Sequence, residues 1–271
     1  MIEVEGLSCF AGKKQILSDV SFCLSKGEFA ALIGNNGSGK TTLLKCLTRN
    51  FAFQSGKIKI DQKDLSSFSY RELAKKVAFV PQHTDLMFDF SAHQLVLMGR
   101  TPYQKPLYFD SEKDLEIVEQ AMKQTGTWHL RNSNAKTLSG GEFQRVIIAR
   151  ALAQQTPILM LDEPISNLDI HHQFEVMSLL QEINAKGITV LIILHELNMT
   201  MQYCNKVLLM QEGKMVAQGK TSDILSVENI ERFFDVKAQI SPADKHIIIS
   251  KKISPFCQEN QTPFQQNKSA F

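Results

Sequence analysis

The sequence predicts an α/β fold with a mainly parallel sheet as its core, an antiparallel β subdomain at the N-terminus and an inserted helical lobe. Three observations predict it. The apolar run Phe29–Ile33 enters a glycine-rich loop, and the loop opens an amphipathic stretch at 40–47. Two further apolar runs, Ile158–Leu161 and 190–194, are continuous rather than alternating, as in parallel strands covered on both faces. From about 89 to 137, strand character is low and apolar spacing is helical.

In chain order, residues 2–24 read as antiparallel β. Val20, Phe22 and Leu24 alternate with Ser21, Cys23 and Ser25, and Gly12-Lys13 and Lys26-Gly27 supply the turns. Residues 57–60 alternate again, 65–74 is expected as one short helix, and Val77–Val80 is an apolar run ended by Pro81-Gln82. Within the lobe, 92–98 is a helix stopped by Gly99 and Pro102. Ser111-Glu112-Lys113-Asp114 resembles a capping box opening another, with Leu115, Val118 and Met122 on one face. Helices are expected at 142–154 and Ile170–Ala185, a hairpin around Glu212-Gly213, a helix over 221–234 and a last short strand at 247–249. The domain expectation is one unit over 1–253, followed by a disordered tail at 254–271 that is rich in Gln, Asn, Ser and Pro.

Composition excludes several classes. With 43% hydrophobic and 21% charged residues the 271-residue chain is globular, and a net charge of +2 with mixed signs offers no basic stripe for nucleic acid. Five cysteines without a C-x-x-C pair suggest a reducing compartment. The acidic start lacks a signal peptide's basic head, and no apolar run approaches the roughly 18 residues of a membrane span.

The chemistry concentrates in a few short stretches. Gly34-Asn35-Asn36-Gly37-Ser38-Gly39-Lys40-Thr41-Thr42 follows an apolar strand and opens a helix, the context in which G-x-x-x-x-G-K-[ST] binds phosphates. The glycines let backbone N–H groups turn inward, and the helix start adds unpaired amides and a positive dipole end. Lys40 reaches the β- and γ-phosphates, and the Thr41 hydroxyl suits Mg²⁺. This makes the core that of a phosphate-loop NTPase. Asp162-Glu163 closes another apolar strand, with Asp162 suited to Mg²⁺ and Glu163 to polarising a water. Leu138-Ser139-Gly140-Gly141-Glu142-Phe143-Gln144-Arg145 places two glycines before a second helix N-terminus; alone, it reads equally well as a structural turn.

Together these motifs, in their order, resemble the ATP-binding cassette (ABC) ATPases over roughly residues 2–235. Ser139-Gly140-Gly141 matches the family's signature, Gln82 its Q-loop, Ser166-Asn167-Leu168-Asp169 its D-loop, and His195 its switch histidine. The resemblance implies two copies facing head to tail. Each ATP would lie between one copy's phosphate loop and the other's Ser139, Gly140 and Gly141, with Asp169 nearby. Glu163 would act as general base, His195 would hold γ-phosphate and water, and Gln82 would contact Mg²⁺ and report its state to the lobe. Phe10 takes the place of the adenine-stacking aromatic, one residue farther from Leu17 than the family pattern; core packing is the alternative.

Met98-Gly99-Arg100-Thr101-Pro102-Tyr103, Leu168-Asp169-Ile170-His171-His172-Gln173 and Leu194-His195-Glu196-Leu197-Asn198 resemble the subfamily of ferric-siderophore, haem and cobalamin importer ATPases. Ile165 and Phe143 depart from the family pattern without removing a reacting group. His171 and His172 read as helix surface, since adjacent side chains point about 100° apart. The implied partners are a second copy, a membrane permease docking near residues 89–100, and indirectly a substrate-binding protein, at the cytoplasmic face of the inner membrane. A non-transport cassette, such as an iron–sulfur assembly ATPase, is the alternative, and an ATP-holding regulatory module a third.

Overall fold

The computed structural model describes residues 1–104, 111–241 and 246–251; the expected tail at 254–271 lies outside them. The chain divides into two compact units, Met1–Leu225 and Ser226–Phe271.

Two sheets build the first unit. Strands β1 (Ile2–Ala11) and β2 (Lys14–Leu24) form an antiparallel hairpin, and β3 (Phe29–Ile33) leads through the glycine loop into helix α1 (Lys40–Leu47). Strands β4 (Ser55–Ile60) and β5 (Lys63–Asp64) complete a four-stranded sheet ordered β2-β1-β4-β5. The expected helix at 65–74 is split. Ser69 takes an extended conformation to cap α2 (Tyr70–Ala74) in a capping box with Glu72, which confines the preceding turn to Leu65–Ser67.

The chain continues through β6 (Val77–Val80), α3 (Ala92–Leu97), α4 (Glu112–Gln124), α5 (Gly140–Ala153), β7 (Ile158–Leu161), α6 (Ile170–Ala185), β8 (Thr189–Ile193), α7 (Leu197–Tyr203), β9 (Lys206–Gln211), β10 (Lys214–Lys220) and α8 (Thr221–Ile224). The second sheet runs β10-β9-β3-β8-β7-β6, all neighbours parallel except the β9–β10 hairpin. The expected α/β class, with its parallel core and antiparallel N-terminal subdomain, is therefore the observed one. Leu43, Leu44, Cys46 and Leu47 of α1 are buried in one cluster with Ile2, Leu7 and Leu17 of the antiparallel sheet and Leu32, Leu191 and Leu208 of the parallel one. This packing seats the glycine loop between the two layers.

In the lobe, α3 and α4 pack on α5, and capping boxes at Ser91/Gln94 and Ser111/Asp114 start both helices. The buried face of α4 is Asp114, Ile117, Val118, Ala121 and Met122, whereas Leu115, expected inside, is 41% exposed. The reason lies 14 residues upstream. Arg100 donates from Nε to Asp114 Oδ1 at 2.7 Å and from a terminal nitrogen to the Ala153 carbonyl at 2.7 Å. Tyr103 lies 4.0 Å under its guanidinium and donates to the Gln154 carbonyl. Gly99 sits so close to the Arg150 carbonyl that no Cβ fits. The stretch from Met98 to Tyr103 thus ties three lobe helices together around one buried ion pair.

In the second unit, α9 (Val227–Phe234) precedes the antiparallel pair β11 (Val236–Ile240) and β12 (Ile247–Lys251). The expected helix over 221–234 is two helices, because Ser226 is extended and caps α9 by accepting from the Asn229 amide. No helix among the described residues is long and apolar enough to cross a membrane.

Candidate functional site

Strands β3, β8, β7 and β6 lie side by side and parallel, so their carboxyl ends open on one edge of the sheet. That edge is where open α/β sheets bind ligands. The first residues beyond these ends are Gly34, Leu194-His195, Asp162-Glu163 and Pro81-Gln82.

At the end of β3 the backbone must turn sharply. Gly34 has φ of 145°, and a Cβ there would fall well inside contact distance of the Met210 carbonyl oxygen. Gly39, φ 99°, caps α1 with no side-chain hydrogen bond. The first-turn amides of α1 therefore face the loop without a side-chain cap. The Lys40 ammonium donates to the carbonyls of Gly34 at 2.8 Å and Asn35 at 3.0 Å. Burial lowers its pKa, while the charges of Glu163 and Asp162 oppose that shift. Ser38 Oγ is buried with no hydrogen-bond partner among the described residues. The loop borders a cavity of about 460 Å³, lined by residues 36–42 with Lys14, Ile16, Gln82 and Glu163.

Thr41 donates to Asp162 Oδ1 at 3.2 Å, joining the loop to the end of β7. Asp162 is 2% exposed; burial raises its carboxyl pKa, and the Thr41 hydrogen bond pulls it back. A hydroxyl and a carboxylate beside a phosphate cradle form a hard-oxygen donor set of the kind Mg²⁺ takes, so these residues fit that ion. Glu163 adopts φ of 49°, a left-handed conformation uncommon for a side-chain-bearing residue, immediately after the strand. Its two oxygens accept from Gln82 Nε2 at 2.7 Å and His195 Nε2 at 2.6 Å.

The signature stretch forms a separate cluster. Ser139 caps α5 by accepting from the Glu142 amide, and the Glu142 carboxylate accepts from the Ser139 hydroxyl at 2.7 Å and amide at 2.9 Å. Those bonds, the hydroxyl's first, hold the Glu142 carboxyl below the usual range. Ser139 and Gly140 face solvent, and none of Ser139, Gly140 and Gly141 lines the phosphate-loop cavity. A second cavity of about 230 Å³ lies among Gln82, Gly140, Gln144, Glu163 and Ser166, so one signature glycine borders the same space as Gln82 and Glu163. Asp169 caps α6 by accepting from the His172 amide.

The structure therefore brings together the glycine loop, Gln82, Asp162, Glu163 and His195; Ser139, Gly141 and Asp169 line neither cavity, and Gly140 meets Gln82 and Glu163 only across the second one. Phe10 stands in neither group. It is 38% exposed, so it is not a core residue, and its amide donates to Gln54 Oε1. Sequence reasoning missed His172. Its ring is fixed by Asp169 and covers Gly141, whereas His171 alone is surface as expected, with a side chain 80% exposed. The motif Asp169-Ile170-His171-His172 carried the only available signal.

Comparison with known proteins agrees with this geometry. The profile of the family described as ABC transporter matches residues 17–166. The ferric enterobactin transport ATP-binding protein FepC of Escherichia coli strain K12 is 38% identical over 238 residues, 87% of this chain and 88% of FepC. The hemin import ATP-binding protein HmuV of Bordetella pertussis is 36% identical over 248 residues, covering 88% of this chain and 94% of HmuV. Among solved structures, the dimeric post-hydrolysis state of the ATP-binding cassette MJ0796, bound to ADP and Pi, superposes with a TM-score of 0.71 at 26% identity, covering 82% of this chain and 99% of that one. The chain belongs to the ABC transporter family, as one of its ATP-hydrolysing cassettes.

Proposed function

We propose that this protein is the ATP-hydrolysing subunit of an importer that takes up an iron–siderophore, haem or cobalamin-type substrate through a separate membrane permease. The observation that carries the reading is the convergence of Gly34–Thr42, Gln82, Asp162, Glu163 and His195 on one sheet edge, in a chain similar to FepC and HmuV across nearly its whole length.

The residues divide the work as follows. Backbone amides of Asn35, Asn36, Gly37, Ser38, Gly39 and the start of α1 cradle the phosphates, with Thr42 closing the loop and Lys40 exchanging its carbonyl partners for phosphate oxygens. Thr41, Asp162 and Gln82 would hold Mg²⁺, which when bound supplies charge neutralisation at the phosphates. Glu163 accepts the proton of the attacking water, and His195 holds the γ-phosphate and that water by turning its Nε2–H from Glu163 towards them. Phe10 offers its exposed ring to adenine.

Ser139, Gly140, Gly141 and Asp169 lie outside the phosphate-loop cavity of their own chain, which supports a head-to-tail dimer in which they complete the partner's site. Exposed Met87 and Phe88, 85% and 68% accessible, sit between Gln82 and the lobe where a permease helix would dock. Closing the dimer would draw these docking surfaces together and change access in the permease. The protein would then sit peripherally at the cytoplasmic face of the inner membrane.

The test is affinity purification of the tagged Glu163→Gln variant from detergent-solubilised membranes. Recovery of a polytopic permease is expected, and its companion binding protein would name the cargo. Recovery of soluble partners alone would overturn the reading in favour of a cytosolic assembly ATPase.

A further inference from the structure

His172 is engaged on two sides. Its Nδ1 lies 2.9 and 2.8 Å from the two carboxylate oxygens of Asp169, whose Oδ1 also accepts the His172 amide at 2.9 Å. Donation from that amide, and then from the ring, holds the Asp169 carboxyl below the usual range, so the carboxylate accepts and Nδ1 carries the proton. The other edge of the ring covers the start of α5. A Cβ built on Gly141 would meet His172 Cδ2 at 2.5 Å and Cγ at 2.8 Å, closer than real Cβ contacts come, and Nε2 at a tight 3.1 Å. Gly140 differs, because its Cβ would find only Leu168 at an ordinary 3.7 Å. A side chain at position 141 would thus have to displace the His172 ring of its own polypeptide, independently of any phosphate.

From this geometry we infer that His172 is a positioning residue that couples the 166–169 loop to the signature helix of the same chain, transmitting movement of Asp169 to Gly141. Asp169 orients the ring, and the ring sets how α5 presents Ser139 and Gly140. The inference rests on the ATPase reading above, since the signature must act on nucleotide for the coupling to matter. A shift of the 166–169 loop then reaches the signature directly through one ring rather than along α5 and β7, the chain between them.

The conservative variant is asparagine. Its Cγ, Nδ2 and Oδ1 occupy the places of the histidine Cγ, Nδ1 and Cδ2, so it keeps the Asp169 hydrogen bond and the cover over Gly141. The experiment measures Mg²⁺-dependent phosphate release, binding of a fluorescent ATP analogue and thermal melting for wild type, His172→Ala, His172→Asn, Gly141→Ala and the His172→Ala/Gly141→Ala double variant. His172→Ala should lower kcat on the order of ten- to a hundredfold, the scale of a misplaced catalytic contact. Analogue affinity and melting temperature should stay unchanged, and His172→Asn should recover most of the rate. Gly141→Ala should cost less in the His172→Ala background than in wild type, because the atoms it strikes are gone.

Full kcat in His172→Ala, parallel loss of kcat, affinity and melting temperature, or an asparagine variant no better than alanine would each overturn the inference. An inactive wild type that binds no nucleotide would instead overturn the ATPase reading, which separates the two failures.

Discussion

Glu163 Oε1 accepts from His195 Nε2 at 2.6 Å, across the ends of adjacent strands β7 and β8. With Gln82 on the other oxygen, both oxygens of the proposed base are hydrogen-bonded within the protein. A base held this way is oriented, and each oxygen keeps a lone pair open to a water's proton.

The His195 contact predicts a specific kinetic pattern. His195→Ala should lower kcat on the order of a hundred- to a thousandfold, the scale of losing one preorganised polar contact to the transition state. Nucleotide affinity should change little, because Lys40 and the loop amides do the binding. Steady-state phosphate release combined with equilibrium binding of a fluorescent ATP analogue checks both halves.

Gly34 and Gly37 should respond differently to alanine. A methyl at Gly34 drives into the Met210 carbonyl of the neighbouring strand, so backbone must move; the expected cost is at least about 3 kcal/mol. At Gly37, φ 77°, a Cβ meets nothing within 4 Å, leaving only the left-handed backbone penalty of about 1–2 kcal/mol. Denaturant unfolding of the two variants gives the comparison directly.

The Arg100–Asp114 pair should behave as a buried charge pair, with side chains 5% and 13% exposed. Removing either partner alone should cost about 3–5 kcal/mol, because the other is left buried and unpaired. The Arg100→Met/Asp114→Leu variant should cost less than the sum of the singles in a denaturant series. The acid limb carries a second signature. Burial alone would raise the Asp114 carboxyl, but hydrogen bonds from Ser111 and Arg100 outweigh it and hold the group below its ordinary 3.8. A depressed folded value means the pair's contribution is present above about 3.8 and is lost as pH falls through the folded value. Asp114→Asn should flatten that limb.

The same pair shows what the sequence conceals. The glycine loop and the carboxylates after β7 are legible because their chemistry demands particular residue types at strand ends, whereas His195 is legible only through its order among the motifs of the family the chain resembles. The capping box at Ser111 is visible for a similar reason, since a local hydrogen bond fixes the spacing, whereas the one at Ser139 emerges only in the fold. Apolar character alone predicts Leu115 inside, yet Arg100 draws Asp114 inward and turns Leu115 out. Helix geometry points His171 and His172 about 100° apart and predicts both at the surface, and only the fold reveals Gly141 beneath the His172 ring. The breaks at Ser69 and Ser226 were missed where a serine cap interrupts otherwise helical composition. Strand β11 was overlooked because five alternating residues directly follow a helix.

The most direct test of the ATPase account compares wild type with Glu163→Gln in MgATP. Wild type should release phosphate continuously. Glu163→Gln should release none above background, and should elute as an ATP-dependent dimer on size exclusion with light scattering. Turnover by Glu163→Gln at the wild-type rate would contradict the assignment of Glu163 as the base, and with it the mechanism built on this sheet edge.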